Sequence, residues 1–528
     1  MTLVVASSLA CHNVKNINTM RKIPRTMVTQ HPDNAGKAFW LGKSFIDSRE
    51  EVRECFISYL ELGCEEFMWD WEGKYVDEAV IERLFEKNLS FFKENSLGKD
   101  IFLTYRFPNI WIEKGSYRIL RAFVNIITAY DIAKDIGLHC PPIFEVILPM
   151  VTQAEQLIYI QTKFTELSHL VSMDSTAKIG SGNPPTVEII PLIEDIPHLL
   201  DIDKLLEKYV ELYNKNGLAK IKKLEYIRPF IARSDPALNY GLVPAVLAAK
   251  IALSKSHQVS SKLGIKVYPI IGCGTVPFRG HLSPENIKNF LKEYPGIKTV
   301  TIQSSFRYDH PPDRVKKAIK TLNTKLLKPD KMTLIESKDL KALEEIIKVF
   351  KTYYRRDITK IAGLINETAK FVPSRRERRL HIGLFGYSRE FTRGVHFPRA
   401  ITFTCSLYSL GIPPEIIGAG RALKIIQKKG LGEVLERHYT NLRWDLERSC
   451  RFVNRENIKR LKKKYPNLKD IEEDLKIIEN TLKVSTEPQT SSHIVHKRLT
   501  SNILLLLKKK ENPTMLIEEA GTLRGFLG

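Results

Sequence analysis

Short runs of β-branched and aromatic residues recur along the chain. Each is followed by polar or Gly/Pro punctuation and then by a longer stretch whose apolar positions have helical spacing. These runs predict strands at 66–71 (EFMWDW), 101–106 (IFLTYR), 144–149 (FEVILP), 187–193, 227–232, 266–271 (KVYPII), 299–303 (TVTIQ) and 379–385 (RLHIGLF). Segments such as AEQLIYIQTKF and LVPAVLAAKIAL supply the helices between them. Eight strands alternating with helices is the count of a TIM-type barrel, so the expected fold is α/β, a (βα)8 barrel with many additional α-helices. A helix-rich protein with a smaller sheet is the competing reading. The barrel is expected over roughly residues 60–420, with a helical part over 420–528, and 20–528 are taken as one domain. Linkers are expected at 177–185 (AKIGSGNPP) and 484–492 (VSTEPQTSS). Residues 1–19 read as an N-terminal extension or a mis-assigned start ahead of Met20, because LVVASSLAC lacks the positive charge that should precede a signal sequence.

Composition narrows the class. A chain of 528 residues with 43% hydrophobic content can bury a large core. The 82 Lys and Arg against 60 Asp and Glu give a net charge of +22, which favours anionic partners, either nucleic acid or small phosphorylated or carboxylated metabolites. Much of the excess lies in Lys-rich stretches such as KRLKKKY, the pattern of a solvated face. The seven cysteines have no CxxC spacing, which argues against a zinc site or a disulfide framework and fits a reducing, cytoplasmic setting. No apolar run reaches the ~20 residues that span a bilayer, so no membrane association is expected.

The candidate chemistry gathers at strand ends, where a barrel of parallel strands places its active site. The strand of IRPFIARSDPALNY is followed by Arg233, Ser234, Asp235 and Asn239, and VEIIPLIEDI ends in Glu194 and Asp195. Carboxylates on successive strand ends can share one hard divalent cation such as Mg²⁺ or Mn²⁺. The plainer alternative makes Asp235 a helix N-cap and Glu194 a solvated loop acid. Arg279 and Arg307 follow strand ends, and Arg389, Arg393 and Arg399 lie in Gly-containing, loop-like sequence. Planar guanidinium groups so placed suit bidentate capture of phosphate or carboxylate. Gly272, Gly274 and Gly280 would let backbone amides approach an anion, but no Walker or dinucleotide spacing accompanies them. His31 precedes a Pro-Asp-Asn turn signature, so its imidazole sits on an irregular segment beside Lys37 and Lys43.

Taken in order, TMVTQHPDNA, MWDWEGK, PLIEDI, RPFIARSDPALNYG, QSSFRYD, GLFGYSRE and PRAITFTCSLYSLGIPPEIIG resemble phosphoenolpyruvate carboxylase, in the short form found in archaea and a few bacteria. The resemblance runs from about Met20 to the end of the sequence. It implies a (βα)8 barrel acting as a single catalytic domain, a homotetramer, and a Mg²⁺ or Mn²⁺ requirement. The implied reaction joins phosphoenolpyruvate to bicarbonate, giving oxaloacetate and phosphate. TQHPDN resembles the histidine element T-A-H-P-T-E of the longer enzymes, which implies His31 as catalytic base. PLIEDI and ARSDPALNYG resemble the elements that supply the metal ligands, hence Glu194 and Asp235. LTYRFPN, PFRG, FGYSRE and PRAITF resemble arginine-bearing elements, hence Arg106, Arg279, Arg389 and Arg399; Arg307 and Arg393 are added as substrate-binding candidates. Three positions depart from the family pattern. Ile271 and Cys273 stand where the Gly-rich loop carries a His and an Arg, and Leu238 stands where a Lys follows the metal Asp. Lys37 and Arg233 are the candidate replacement cations.

Two rival functions remain. Another metal-dependent barrel enzyme acting on phosphoenolpyruvate would show no bicarbonate dependence. A basic nucleic-acid-binding protein would lose polynucleotide affinity steeply with salt, but the sequence has no recognised nucleic-acid module and its arginines do not form a stripe.

Overall fold

A computed structural model of the chain describes residues 21–30, 36–72, 76–112, 117–138, 140–173, 186–328, 332, 334–376, 390–392 and 394–528. Eight short strands close a barrel in which every neighbouring pair is parallel. In chain order they are β1 (Thr26–Val28), β2 (Glu66–Asp70), β3 (Phe102–Arg106), β4 (Glu145–Leu148), β5 (Glu188–Ile193), β6 (Phe230–Ala232), β7 (Ile270–Gly272) and β8 (Thr299–Ile302). Each strand lies beside its neighbours in sequence, and β1 closes the ring by pairing with both β2 and β8.

Seven of the predicted strands stand within a residue of, or inside, their expected bounds. The one expected at 379–385 lies outside the described residues, and β1 completes the ring. The barrel strands therefore span Thr26 to Ile302 and do not begin near residue 60. With three residues, β1 is too short for period-two alternation to register in the sequence. The runs at 227–232 and 266–271 are each broken by a proline. Tyr226–Ile227 pairs with Lys266–Val267 in a separate two-stranded parallel sheet, and β6 and β7 resume after Pro229 and Pro269. A proline has no N–H for the ladder, but its carbonyl still accepts: Ile270 N donates to Pro229 O at 2.8 Å and Lys298 N to Pro269 O at 2.9 Å.

Alternation along the strands divides the core. Met27, Met68, Ile147, Ile190, Leu192, Phe230, Ala232 and Ile270 pack inside the barrel. Their sequence neighbours, such as Val28, Phe67, Trp69, Val146 and Ile271, join the much larger core shared with the surrounding helices. The amino-terminal end of the barrel is closed by a buried ion cluster. Arg228 donates to Glu66 at 3.0 and 2.7 Å, to Glu145, and to Thr299 at 3.1 Å, and Arg21 also binds Glu145. Such a cluster is tolerated in the interior because each charge meets an opposite one.

Beyond the barrel the described residues are mostly helical, with one antiparallel pair of short strands, Glu390–Thr392 and Val395–His396. The helices Leu442–Cys450, Ser491–Lys509 and Thr514–Arg524 belong to this part, and the expected linker near 484–492 falls between the helices Leu468–Leu482 and Ser491–Lys509. Residues 526–528 then return, buried, to the helix Ala400–Ser409. Among the described residues no helix is long and apolar enough to cross a membrane.

Candidate active site

The carboxyl ends of the strands open into a cavity whose floor is apolar (Met68, Leu192, Phe230, Ala232) and whose rim is charged. β3 ends in Arg106, β5 is followed by Glu194, and β6 by Arg233, Ser234 and Asp235; all line this cavity. Arg279 and Arg399 reach it from the 3-10 turn Pro277–Arg279 and from the residue before the helix Ala400–Ser409. The topology thus brings Glu194, Asp235, Arg106, Arg279 and Arg399 to one place.

The plainer reading of the two acids does not fit their surroundings. The helix Ser234–Tyr240 has Arg233 at its N-cap with no side-chain cap bond, so Asp235 lies in the first turn and does not cap. Capping falls to Asp195, whose Oδ1 accepts from His198 N at 3.1 Å at the start of the helix Ile196–Leu200. Glu194 is only 6% exposed and is no solvated loop acid.

Two of the rim arginines, Arg106 and Arg279, are held by built supports. Arg106 donates through Nε and Nη2 to the two oxygens of Asp70 at 2.9 and 2.6 Å, with Glu72 3.1 Å from Nη2. Arg279 donates through Nε to Ser234 Oγ at 3.0 Å, through Nη2 to Gln303 Oε1 at 2.7 Å, and through Nη1 to the backbone oxygen of Gly528 at 2.6 Å. Ser234 is among the polar residues that the sequence places after its strand; Asp70 and Gln303 were not singled out from sequence. Both stand at strand ends inside quoted motifs, which is the signal that could have found them. Gly528 has no such signal.

The remaining candidates divide. Arg307 is not brought to the cavity. It is fully buried, donating to Glu54 at 2.8 Å, Tyr308 Oη at 2.9 Å and Thr29 O at 3.0 Å. Burial alone would raise the Glu54 carboxyl, but Arg376 and Arg307 hold it well below the usual carboxylate range. Arg307 therefore anchors the segment after β1 and leaves no guanidinium face for substrate. His31, Arg389 and Arg393 lie outside the described residues, as does the linker at 177–185.

A family model described as phosphoenolpyruvate carboxylase matches residues 23–528. The chain belongs to the phosphoenolpyruvate carboxylase family. Curated relatives of that name include one from Oenococcus oeni, 39% identical over 512 residues and covering 96% of this chain and 99% of that one. Those from Caldivirga maquilingensis and Metallosphaera sedula are 42% and 40% identical, over 89% and 93% of this chain and 90% and 96% of theirs. Among solved structures, a ternary complex of Haloferax volcanii malate synthase aligns with a TM-score of 0.36 and 13% identity, covering 81% of this chain and 98% of that one. So distant a likeness adds nothing to the strand pairing described above.

The departures from the longer carboxylases are filled by packing. Ile271, Cys273 and Leu238 are all buried in the main core. Burial pushes the Cys273 thiol up to about 12, so it stays neutral. A Cβ on Gly280 would fall 2.6 Å from its sulfur. Of the two candidate replacement cations, Lys37 is exposed. Arg233 is fully buried beside the cavity, with Nε donating to Tyr294 Oη at 2.9 Å. Gly272 ends β7, and Gly274 is bonded on both sides to the 279–282 backbone, so 272–274 is a braced corner.

Proposed function

We propose that this chain joins phosphoenolpyruvate to bicarbonate at the mouth of the barrel, giving oxaloacetate and phosphate. The observation that carries the reading is the meeting of Glu194 and Asp235 with Arg106, Arg279 and Arg399 around one cavity, in a chain of the carboxylase family. Phosphoenolpyruvate presents a phosphate and a carboxylate, and guanidinium groups held in fixed orientation are suited to both. Arg389 joins this set on the family resemblance alone, and Arg393 on its place in the same Gly-containing, loop-like sequence.

A bicarbonate oxygen attacks phosphorus, and the bond from phosphorus to the enol oxygen breaks. The products of this step are carboxyphosphate and the enolate of pyruvate. The rim arginines stabilise the charge that develops on the enol oxygen, and for Arg106 and Arg279 this needs little reorganisation because their supports already fix them. His31, assigned by resemblance, takes the proton from the carboxyl of carboxyphosphate, whose C–O bond then breaks to release CO₂ and phosphate. The methylene carbon of the enolate attacks CO₂, forming the new C–C bond. Water must be kept out, or the enolate is protonated and leaves as pyruvate.

Glu194 and Asp235 supply hard oxygen donors suited to a divalent cation. Among the described residues no group of three or more His, Cys, Asp or Glu could hold a metal. The protein would therefore give two ligands and leave the rest to water and substrate, as Mg²⁺ sites beside phosphates commonly do. We take the ion as Mg²⁺ or Mn²⁺; when bound it supplies Lewis-acid stabilisation of oxygen charge. One continuous core reaching from Val28 to Phe526 supports treating 20–528 as a single catalytic domain. A cytoplasmic homotetramer is proposed from the family resemblance.

The test is oxaloacetate formation followed through malate dehydrogenase and NADH, with bicarbonate added or withheld. Activity that needs bicarbonate and disappears with chelator is the expected outcome. Pyruvate formed regardless of bicarbonate, without oxaloacetate, would overturn the assigned reaction.

A further inference from the structure

Arg279 stands on a turn that lies beyond the barrel strands. The turn closes on itself: Arg279 N and His281 N both donate to Val276 O at 3.0 Å, and Leu282 N donates to Gly274 O at 3.0 Å. Two carboxylates from the helical part then hold it on either side of Arg279. Before it, Glu415 Oε1 accepts from Phe278 N at 2.9 Å. After it, His281 Nδ1 lies 2.5 Å from Asp445 Oδ1 on the helix Leu442–Cys450. Asp445 is itself fixed, its other oxygen accepting from Tyr439 Oη at 2.7 Å. His281 is 3% exposed and has a φ of 62°, left-handed backbone that a residue with a Cβ keeps only where its surroundings impose it. Gly280 beside it has a φ of 122°. Two consecutive residues in this region directly follow the arginine that reaches the cavity, and the Asp445 contact fastens the second of them.

We infer that His281, clamped by Asp445, is a positioning residue for Arg279. Its ring does not touch the cavity. It sets the backbone pivot from which the guanidinium reaches Ser234, Gln303 and the substrate anion. The helical part thus contributes to substrate capture through a side chain that the family resemblance does not mark. The inference rests on the reading of Arg279 as a substrate-binding group.

The test is a double-mutant cycle on the full chain. Phosphoenolpyruvate affinity is measured by calorimetry with Mg²⁺ present and bicarbonate withheld, so that no turnover is needed. Asparagine tolerates left-handed backbone but is too short to reach Asp445, so His281→Asn removes the clamp while sparing the turn. The expected result is affinity weakened about tenfold by His281→Asn, and less than about twofold further weakening when the same change is made in Arg279→Gln. Asp445→Asn is the second variant, with the same expectation should His281→Asn fail to fold. Equal weakening in both backgrounds would mean that His281 acts on the fold generally, and would overturn the inference. Unchanged affinity in His281→Asn, with Arg279→Gln impaired, would also overturn it. Unchanged affinity in Arg279→Gln would instead overturn the substrate-binding reading of that arginine.

Discussion

Asp195 and Asp235 both follow barrel strands and both stand near the start of a helix, yet only Asp195 spends its carboxylate on capping. Asp235 is half-buried and lines the cavity that the arginines also line. Asp235→Asn removes one anionic donor with no change of shape, so the Mg²⁺ concentration for half-maximal activity should rise about tenfold or more, a loss of roughly 1.4 kcal/mol. A metal titration that superimposes on the parent's would remove Asp235 from the ligand set. Arg307 leads to the opposite kind of expectation. Arg307→Met breaks a buried ion pair, which typically costs about 3–5 kcal/mol of stability. Glu54 retains Arg376, with Nη1 at 2.7 Å, so the loss in denaturant unfolding should fall near the low end. Phosphoenolpyruvate affinity should change little, and a large affinity loss in a normally stable variant would return Arg307 to the substrate site. Strand-end placement made both residues legible as candidates. It could not separate them, because one guanidinium turns into the core and finds Glu54, a partner distant in sequence.

The turn carrying Arg279 illustrates what governs an element rather than a side chain. Glu415, in the 3-10 turn Pro414–Ile416, accepts from Phe278 N and from Tyr408 Oη at 2.9 and 2.8 Å, and burial pushes its carboxyl up to about 7. A group whose folded value lies above its unfolded value of 4.5 binds its proton more tightly in the folded state. That contribution is full below about pH 4.5 and is lost as pH rises through 7. Glu415→Gln cannot ionise, so its stability relative to the parent should improve between pH 5 and pH 8, by at most about 3 kcal/mol. Denaturant midpoints at the two pH values check this, and a difference that stays constant with pH would contradict it. At this scale the sequence pattern located most barrel strands but misplaced the starts of β6 and β7. Pro229 and Pro269 look like ordinary members of apolar runs until the ladder requires an N–H from them. The first strand escaped because three residues cannot display a period.

Across the whole molecule, the helical part returns the chain to the barrel mouth. Gly528 O accepts from Arg279 Nη1 although the two residues are 249 positions apart. Phe526 packs on Tyr408 with ring centroids 5.1 Å apart, and Arg524 donates to Leu527 O at 2.9 Å, so the approach of this segment is fixed. Nothing in the local sequence TLRGFLG signals that contact, because it arises only after the barrel, the Arg279 turn and the last two helices have all packed. The fit at Gly528 is close: a Cβ there would lie 2.1 Å from Ile401 O and 3.0 Å from Cys405 N. Both neighbours are backbone atoms of the helix Ala400–Ser409, which begins directly after Arg399, and cannot move aside as a side-chain tip would. Gly528→Ala must therefore displace either residue 528 from Arg279 or the helix that follows Arg399. In both cases a rim arginine loses its set position, so kcat/KM for phosphoenolpyruvate should fall about tenfold or more. The thermal midpoint should move little, because the Phe526 and Leu527 contacts persist. Parent-like kcat/KM in Gly528→Ala would mean that the carbonyl contact is incidental. A fall in activity matched by an equal loss of thermal stability would assign Gly528 to packing and not to the site.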